Sequence, residues 1–168
     1  MSSLKSNKSG GTIENRISVN ERYEAQNLLT YRGRIKQNET ALVLQRMQAY
    51  VRKHQLAVTG DFVSATFGVE QIGTEKFADV ELMQPMDRME EPEGELFWKP
   101  RFCLEGAIKL EYTGPKEGFP VACEEMQRYM QIYGYIPISA GYVVTKQNIG
   151  AGNDVNLQVY IGVSHNVL

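Results

Sequence analysis

The chain repeats itself at a spacing of 79 residues, and this duplication constrains its fold more than any other feature. The motif Met-Gln-x-Tyr begins at Met47 and again at Met126. Further identities at the same spacing pair Thr66 with Thr145, Gly73 with Gly152 and Val80 with Val159. A repeat of this length is one supersecondary unit, so the sequence predicts two copies of one unit that build the core together.

Each half contains one predicted amphipathic helix. We expect Asn38 to cap the first helix, while Pro120 opens the second and Gly134 ends it. The apolar stripes share the spacing i, i+4, i+7, i+8 and i+11, and they comprise Val43, Met47, Tyr50, Val51 and His54 in one half and Ala122, Met126, Tyr129, Met130 and Tyr133 in the other.

One strand is predicted before each helix and a hairpin after it. The strands cover residues 23–35, 62–69 and 77–83 in the first half, and 102–112, 141–147 and 155–163 in the second. Gly73 and residues 150–153 supply the hairpin loops. Tyr31-x-Gly33 matches Tyr112-x-Gly114, and the glycines predict a tight turn that leaves the first strand of each half.

The predicted fold class is α+β, a duplicated β-α-β-β unit that forms a continuous antiparallel sheet. Both helices lie on one face of that sheet, and the other face forms a ligand groove. Residues 1–16 are expected to be a disordered polar tail, and residues 17–168 a single domain. Within it, repeat 1 covers 17–84 and repeat 2 covers 102–168. Residues 85–101 read as an acidic linker, with an acidic docking strip as the alternative.

The hairpin strands alternate between aliphatic and other side chains. Val80 and Val159 belong to the aliphatic sets that should pack under the helices, together with Ala78, Leu82, Leu157, Ile161 and Val163. The candidate ligand-binding residues are those on the opposite face, with Trp98 as a lid over it: Phe77, Asp79, Glu81, Trp98, Asn156, Gln158 and Tyr160. The alternatives are an ordinary solvated sheet face, and a Trp98 that anchors the linker to the core.

Composition excludes several classes of protein. Eighteen Lys and Arg against 20 Asp and Glu give a net charge of −2, which argues against nucleic-acid binding. No apolar run is long enough for a membrane helix, so a cytoplasmic location is expected. The sequence contains no P-loop, GxGxxG or HExxH motif, so neither a cofactor nor a metal is expected. Cys103 and Cys123 are interpreted as free, buried thiols.

Three segments carry a resemblance to a known family. They are Glu111-Tyr-Thr-Gly-Pro-Lys-Glu-Gly-Phe-Pro120 with the preceding Gly106, then Tyr133-Gly-Tyr-Ile-Pro137, and finally Leu157-Gln-Val-Tyr-Ile-Gly-Val163. In order and spacing they resemble the GyrI-like small-molecule-binding domain of gyrase inhibitor proteins and multidrug-responsive bacterial regulators. The chain is similar to stand-alone Firmicute-type members of that superfamily. The resemblance covers the second half directly and the first half through the duplication.

The resemblance implies a cleft between the repeats that binds lipophilic, often cationic compounds. Many members carry a carboxylate in the terminal strand, at the position that Gln158 occupies here. An amide neither neutralises a cation nor acts as a general base. Asp79 is the counterpart of Gln158 in the first half and is a conjectural source of that charge.

Three functions are compatible with these features. The first is a non-enzymatic protein that sequesters or senses a small amphipathic or aromatic ligand in the inter-repeat groove. The alternative is a protein-interaction adaptor or accessory protein, with a link to polymorphic toxins exported by type VII secretion as its narrowest form. The third is a hydrolase of small electrophiles that uses Asp79, Glu81 or Glu111 as general base. Dimerisation through an edge strand is compatible with all three.

Overall fold

The computed structural model describes residues 16–146 and 154–165. In chain order the elements are β1 (Ile17–Lys36), α1 (Thr40–Lys53), β2 (Phe62–Ile72), β3 (Glu75–Pro85), β4 (Leu96–Pro115), α2 (Phe119–Tyr133), β5 (Tyr135–Thr145) and β6 (Asp154–His165). The order β-α-β-β therefore occurs twice, as predicted, and the chain belongs to the α+β class.

The structure divides into two compact units whose boundaries fall inside strands. The α1 unit runs from Glu24 to Cys103, and the α2 unit comprises the described residues up to Tyr23 and from Leu104 onward. Both β1 and β4 are therefore divided, since each contributes its first part to one unit and its second part to the other. The continuous sheet and the groove across both repeats stay predictions.

In the α1 unit, β3 is the central strand of an antiparallel sheet. It pairs with β1 from Leu28↔Pro85 to Lys36↔Phe77, and with β2 from Val63↔Met83 to Ile72↔Glu75. A β-bulge between Thr66 and Gly68 shifts the second register. The apolar stripe of α1 packs on this sheet in a cluster of buried residues, namely Leu29, Tyr31, Ile35, Val43, Met47, Tyr50, Leu56, Val80, Leu82, Met86 and Leu96.

In the α2 unit, β6 takes the central position. It pairs antiparallel with β4 from Ala107↔Gly162 to Pro115↔Asp154, and with β5 from Tyr135↔His165 to Thr145↔Leu157. The core cluster again joins helix and sheet, and it comprises Ile17, Ile108, Leu110, Tyr112, Ala122, Met126, Met130 and Val159. The predicted aliphatic residues Ile161 and Val163 pack against it as well.

The predicted helix ends are partly confirmed. Gly134 ends α2 in the left-handed conformation at φ 76°, and Pro120 lies in the first turn of that helix. The prediction that Asn38 caps α1 is wrong. Asn38 lies in a 3-10 turn, Gln37–Glu39, and α1 begins at Thr40 with Glu39 in the N-cap position. Glu39 stabilises the turn because its Oε1 accepts a hydrogen bond from the Lys36 N–H at 2.9 Å.

The tight turns predicted at the two Tyr-x-Gly motifs are also wrong. Gly33 lies inside β1 and Gly114 inside β4. Each glycine leaves room for the ring of the tyrosine two residues before it. A Cβ at Gly33 would lie 2.6 Å from the Tyr31 hydroxyl, and one at Gly114 would lie 3.0 Å from the Tyr112 hydroxyl. The motif therefore serves side-chain packing rather than chain reversal.

The predicted linker is shorter in the structure. β3 extends through Pro85 and β4 begins at Leu96, so only residues 86–95 connect them. The predicted tail, except for Arg16, and the loop at residues 150–153 lie outside the described residues. No helix in the described part of the chain is long and apolar enough to cross a membrane.

Candidate functional site

The face of β3 that points away from α1 carries a buried carboxylate. Val80 and Leu82 belong to the core cluster under α1, so the alternate residues Phe77, Asp79 and Glu81 lie on the other face. The Glu81 side chain is only 4% exposed. This part of the face is therefore not an ordinary solvated surface.

Glu81 is held by a lysine from β4. The Lys99 ammonium lies 2.5 Å from a carboxylate oxygen of Glu81 and is itself 31% exposed. The same ammonium lies 5.7 Å from the centroid of the Phe102 ring, within reach of a cation–π interaction. Sequence reasoning missed Lys99 because it falls in the segment that we predicted as a linker. The available signal was an apolar residue, Trp98, followed directly by a charged one, Lys99, which is typical of a strand with one buried face.

Asp79 and Phe77 occupy a more exposed part of the same face. Arg32 binds the Asp79 carboxylate through two nitrogens, at 3.1 and 3.3 Å, and this hydrogen bonding holds the pKa of Asp79 below its ordinary value. The Arg34 guanidinium lies 4.9 Å from the centroid of the Phe77 ring. The charge of Asp79 is therefore already compensated by Arg32, which lies on the neighbouring strand β1.

Trp98 points to the other side of the sheet. It packs against the core cluster under α1, and its Nε1 donates a hydrogen bond to the Tyr50 hydroxyl at 3.1 Å. The Tyr50 hydroxyl in turn donates to the backbone carbonyl of Glu91 at 2.5 Å. This chain of hydrogen bonds ties the 86–95 connection to α1, which supports the anchoring interpretation of Trp98 over that of a lid.

The α2 unit holds the remaining candidates on β6. Tyr160 is buried, with its ring 5.1 Å from that of Tyr23, and its hydroxyl donates to Gln158 Oε1 at 3.3 Å. The Lys109 ammonium lies 5.6 Å from the Tyr160 ring centroid. Asn156 Oδ1 accepts a weak hydrogen bond from Thr113 Oγ1 at 3.5 Å. Tyr160 and Gln158 are thus brought together, and Tyr23 and Lys109 are neighbours that sequence reasoning missed.

The structure therefore groups the candidates by unit. Glu81 shares its face with Asp79 and Phe77 in the α1 unit, and Gln158 contacts Tyr160 in the α2 unit. The described residues contain no group of three or more His, Cys, Asp or Glu side chains arranged to bind a metal ion. What the arrangement offers is hydrogen bonding, aromatic surface and a charge pair, which are the elements of non-covalent recognition.

Comparison with solved structures identifies the fold. The cryo-EM structure of the EcmrR–DNA complex matches with a TM-score of 0.69 at 15% identity, over 90% of this chain and 59% of that one. The crystal structure of the EcmrR C-terminal domain matches with a TM-score of 0.64 at 15% identity, over 89% of this chain and 99% of that one. A hydrolase from Listeria innocua matches with a TM-score of 0.55 at 11% identity, over 86% and 91% of the two chains.

No protein-family model matches the sequence, and no curated protein does. The chain spans about three-fifths of the EcmrR chain, and its match covers nearly all of the separate C-terminal domain. At these identities the likeness establishes the fold alone. The predicted GyrI-like fold is thereby confirmed.

Proposed function

We propose that this protein binds a small amphipathic or aromatic molecule and does not transform it. The observation that carries the proposal is the pairing of the buried Glu81 with the partly exposed Lys99, on the sheet face that α1 leaves uncovered. Ion pairs with a buried partner are costly to desolvate and contribute little net stability. A charge pair with a buried carboxylate, beside an aromatic ring, is better explained by recognition than by folding.

The α2 unit offers recognition groups of its own. Tyr160 offers a buried aromatic ring, and Gln158 offers an amide that both donates and accepts hydrogen bonds. Pockets for small molecules combine apolar or aromatic lining with a few placed polar groups. We infer that each unit offers its own recognition surface. In the α1 unit it is Glu81 and Lys99 with Phe77 and Asp79 at the periphery, and in the α2 unit it is Gln158 and Tyr160 with Asn156 at the periphery.

The state of the carboxylates supports binding without catalysis. Asp79 is paired with Arg32, Glu81 with Lys99, and Glu111 with Lys109 at 2.9 Å. A general base has to accept a proton from the reacting group. A carboxylate whose oxygen is already bound by a cation is less available to a reacting group, so none of the three suits the hydrolase hypothesis.

Thermal denaturation of the purified protein tests the proposal. The panel contains lipophilic cations, neutral aromatic compounds and amphipathic acids. A ligand at a hundredfold excess over its dissociation constant stabilises by about 2.7 kcal/mol, which raises the Tm of a domain of this size by roughly 5–10 °C. A shift confined to one chemical class is expected, whereas no shift with any class would contradict small-molecule binding.

Variants then locate the binding surface for any compound found in this way. Tyr160→Ala should weaken binding by about 1–3 kcal/mol if the ring is a buried anchor. Glu81→Gln should change which ligand charge is preferred. The matched control is Tyr133→Ala, because Tyr133 is an exposed tyrosine at the end of α2. Unchanged affinity in both Tyr160→Ala and Glu81→Gln would remove both recognition surfaces from the proposal.

One observation favours the adaptor as a second candidate function. Large apolar side chains at the end of α2 and the start of β5 are exposed, namely Ile132, Tyr133, Ile136 and Ile138. Four exposed large apolar groups within the seven residues 132–138 are a feature of protein-interaction surfaces. Stoichiometric co-purification of a partner with the native chain, lost in Ile138→Lys, would support the adaptor. Retention of the partner in that variant would exclude this surface.

A further inference from the structure

We propose that the α1 unit contains a second ligand site, which takes a single-chain amphipathic carboxylate. The site is a cavity of about 440 Å³ between α1, the segment that follows it and the start of β2. This volume lies within the range of small-molecule sites. The residues that line it are Leu29, Leu44, Met47, Gln48, Val51, Arg52, Val58, Phe62 and Gln84.

The lining is apolar for most of its extent. Leu29 and Met47 are buried in the core, whereas Leu44, Val51 and Phe62 are partly buried and pack against the same cluster. Val58 is 61% exposed at the edge of the cavity. An apolar wall that continues from the core to an exposed aliphatic side chain suits an alkyl chain entering from solvent.

The polar residues at the cavity supply one positive charge. Arg52 is an exposed residue in the last turn of α1. Two other cations of the helix are already paired. Arg46 binds Glu95 at 3.2 Å, and Lys53 binds Glu93 at 2.9 Å. Within residues 16–146 and 154–165, no carboxylate lies within ion-pairing distance of the Arg52 guanidinium.

The two amide side chains at the cavity, Gln48 and Gln84, carry no charge. Gln84 Nε2 donates to the Gly60 carbonyl at 2.8 Å, and Gln48 lies one helical turn before Arg52 on α1. A guanidinium binds a carboxylate through two parallel hydrogen bonds. The combination of an apolar wall and an uncompensated guanidinium therefore selects an amphipathic anion and disfavours a lipophilic cation.

The second repeat lacks the residues that define this site. At the spacing of 79 residues, Arg52 corresponds to Gln131 and Phe62 corresponds to Gly141. The neighbouring Met47 and Gln48 are identical to Met126 and Gln127. The repeats thus share the helix surface but differ in the charge and in the aromatic wall. The variant Arg52→Gln copies the second repeat at this position.

This site is separate from the face in the proposed function. The cavity includes one residue of β3, Gln84, and the rest of its lining comes from α1, the segment after it, β1 and β2. Glu81 and Gln84 are three residues apart on β3 and therefore lie on opposite faces of the strand. The two proposals consequently depend on different residues and can fail independently of each other.

Isothermal titration of the intact chain with sodium dodecanoate, kept below its micelle concentration, tests the site. Dodecyltrimethylammonium and dodecanol have the same chain length and serve as ligand controls. We expect dodecanoate to bind best. Arg52→Gln should weaken its binding about tenfold or more, because a hydrogen-bonded charge is lost, and dodecanol binding should stay unchanged.

Two further variants separate the site from general effects of charge and folding. Arg46→Gln removes a paired arginine from the same helix and should leave dodecanoate affinity unchanged. Val58→Glu places a negative charge at the exposed edge of the cavity and should weaken dodecanoate binding. Circular dichroism and Tm establish that each variant is folded.

The proposal is overturned by any of three results. One is the absence of dodecanoate binding to the wild-type chain, and another is unchanged affinity in Arg52→Gln. The third is equal affinity for dodecyltrimethylammonium. Glu81→Gln should not alter dodecanoate affinity, and a large effect of that variant would transfer the binding to the face in the proposed function.

Discussion

The hydroxyl of Tyr31 occupies the space that a side chain at Gly33 would need. A Cβ at Gly33 would lie 2.6 Å from that oxygen, and the Tyr31 ring is buried in the core cluster under α1. The second repeat reproduces the arrangement with Tyr112 and Gly114. Two residues apart on one strand, the tyrosine and the glycine thus form a packing unit that the duplication has preserved.

Gly33→Ala should lower the free energy of unfolding by about 1–3 kcal/mol, because the buried tyrosine has to move. The check is urea denaturation of a double-mutant cycle with Tyr31→Phe, which removes the closest atom. We expect the alanine to cost less in the Tyr31→Phe background. Strictly additive effects would show that the hydroxyl is not the obstacle.

The two halves of the Glu81–Lys99 pair should respond differently to substitution. Lys99→Met leaves the carboxylate buried without a cation and should destabilise by roughly 3–5 kcal/mol. Glu81→Gln should cost less, because the partly exposed lysine can extend its ammonium into water. Denaturant titration of both variants measures the difference, and the opposite order would mean that water already reaches Glu81.

Acid should destabilise the fold through carboxylates whose pKa is lowered in the folded state. The pKa of Asp87 falls below its ordinary value of 3.8 because its carboxylate accepts the Ala57 N–H and lies beside Arg88. The pKa of Asp79 is also lowered, by its hydrogen bonds from Arg32. A lowered pKa contributes stability above the ordinary value, and this stability is lost as pH falls through the folded value.

Asp87→Asn isolates this effect. The variant should be less stable than the wild type at pH 7, and the difference should narrow between pH 4 and pH 2. Urea titrations across that range provide the measurement. Parallel stability curves for the two proteins would contradict a role for this carboxylate in acid sensitivity.

Cys123 should react slowly with alkylating reagents in the native protein. Cys103 and Cys123 are both free, as predicted, but they are partly rather than fully buried. Partial burial still raises the pKa of the Cys123 thiol, and only the thiolate is nucleophilic. Iodoacetamide at pH 8 followed by mass spectrometry should label Cys123 more slowly than a small free thiol. Unfolding in urea should abolish the protection, and Cys123→Ala identifies the modified site. Equal rates in native and unfolded protein would refute burial.

Local signals predicted the helices and the faces of the hairpin strands. The stripe from Val43 to Tyr50 and the Pro120 and Gly134 signals located α1 and α2 because a helix depends on neighbours within a few turns. Period-2 alternation correctly placed Val80 and Val159 in the two cores. Strand limits were less predictable. The strand predicted over residues 141–147 begins at Tyr135 instead. It includes Pro137, and its ladder with β6 is irregular there because the register shifts between Pro137 and Gly141.

The candidate residues that were missed come from distant parts of the chain. Lys99 reaches Glu81 from another strand, and nothing in the sequence near Glu81 indicates its partner. The cavity beside Arg52 also escaped prediction, because the apolar stripe identifies the buried face of α1 and not the gap along its edge. Comparison of the repeats offered one usable signal, the replacement of Arg52 by Gln131.

The divided strands β1 and β4 bear on whether one repeat could fold alone. Ile17 and Leu96 are 79 residues apart in sequence and begin corresponding strands. Ile17 belongs to the core that contains α2, and Leu96 belongs to the core that contains α1. Each repeat therefore completes its hydrophobic core with the first residues of the other repeat's leading strand. A single repeat on its own would lack the segment that fills this part of its core, so cutting the chain between the repeats should expose apolar surface in both.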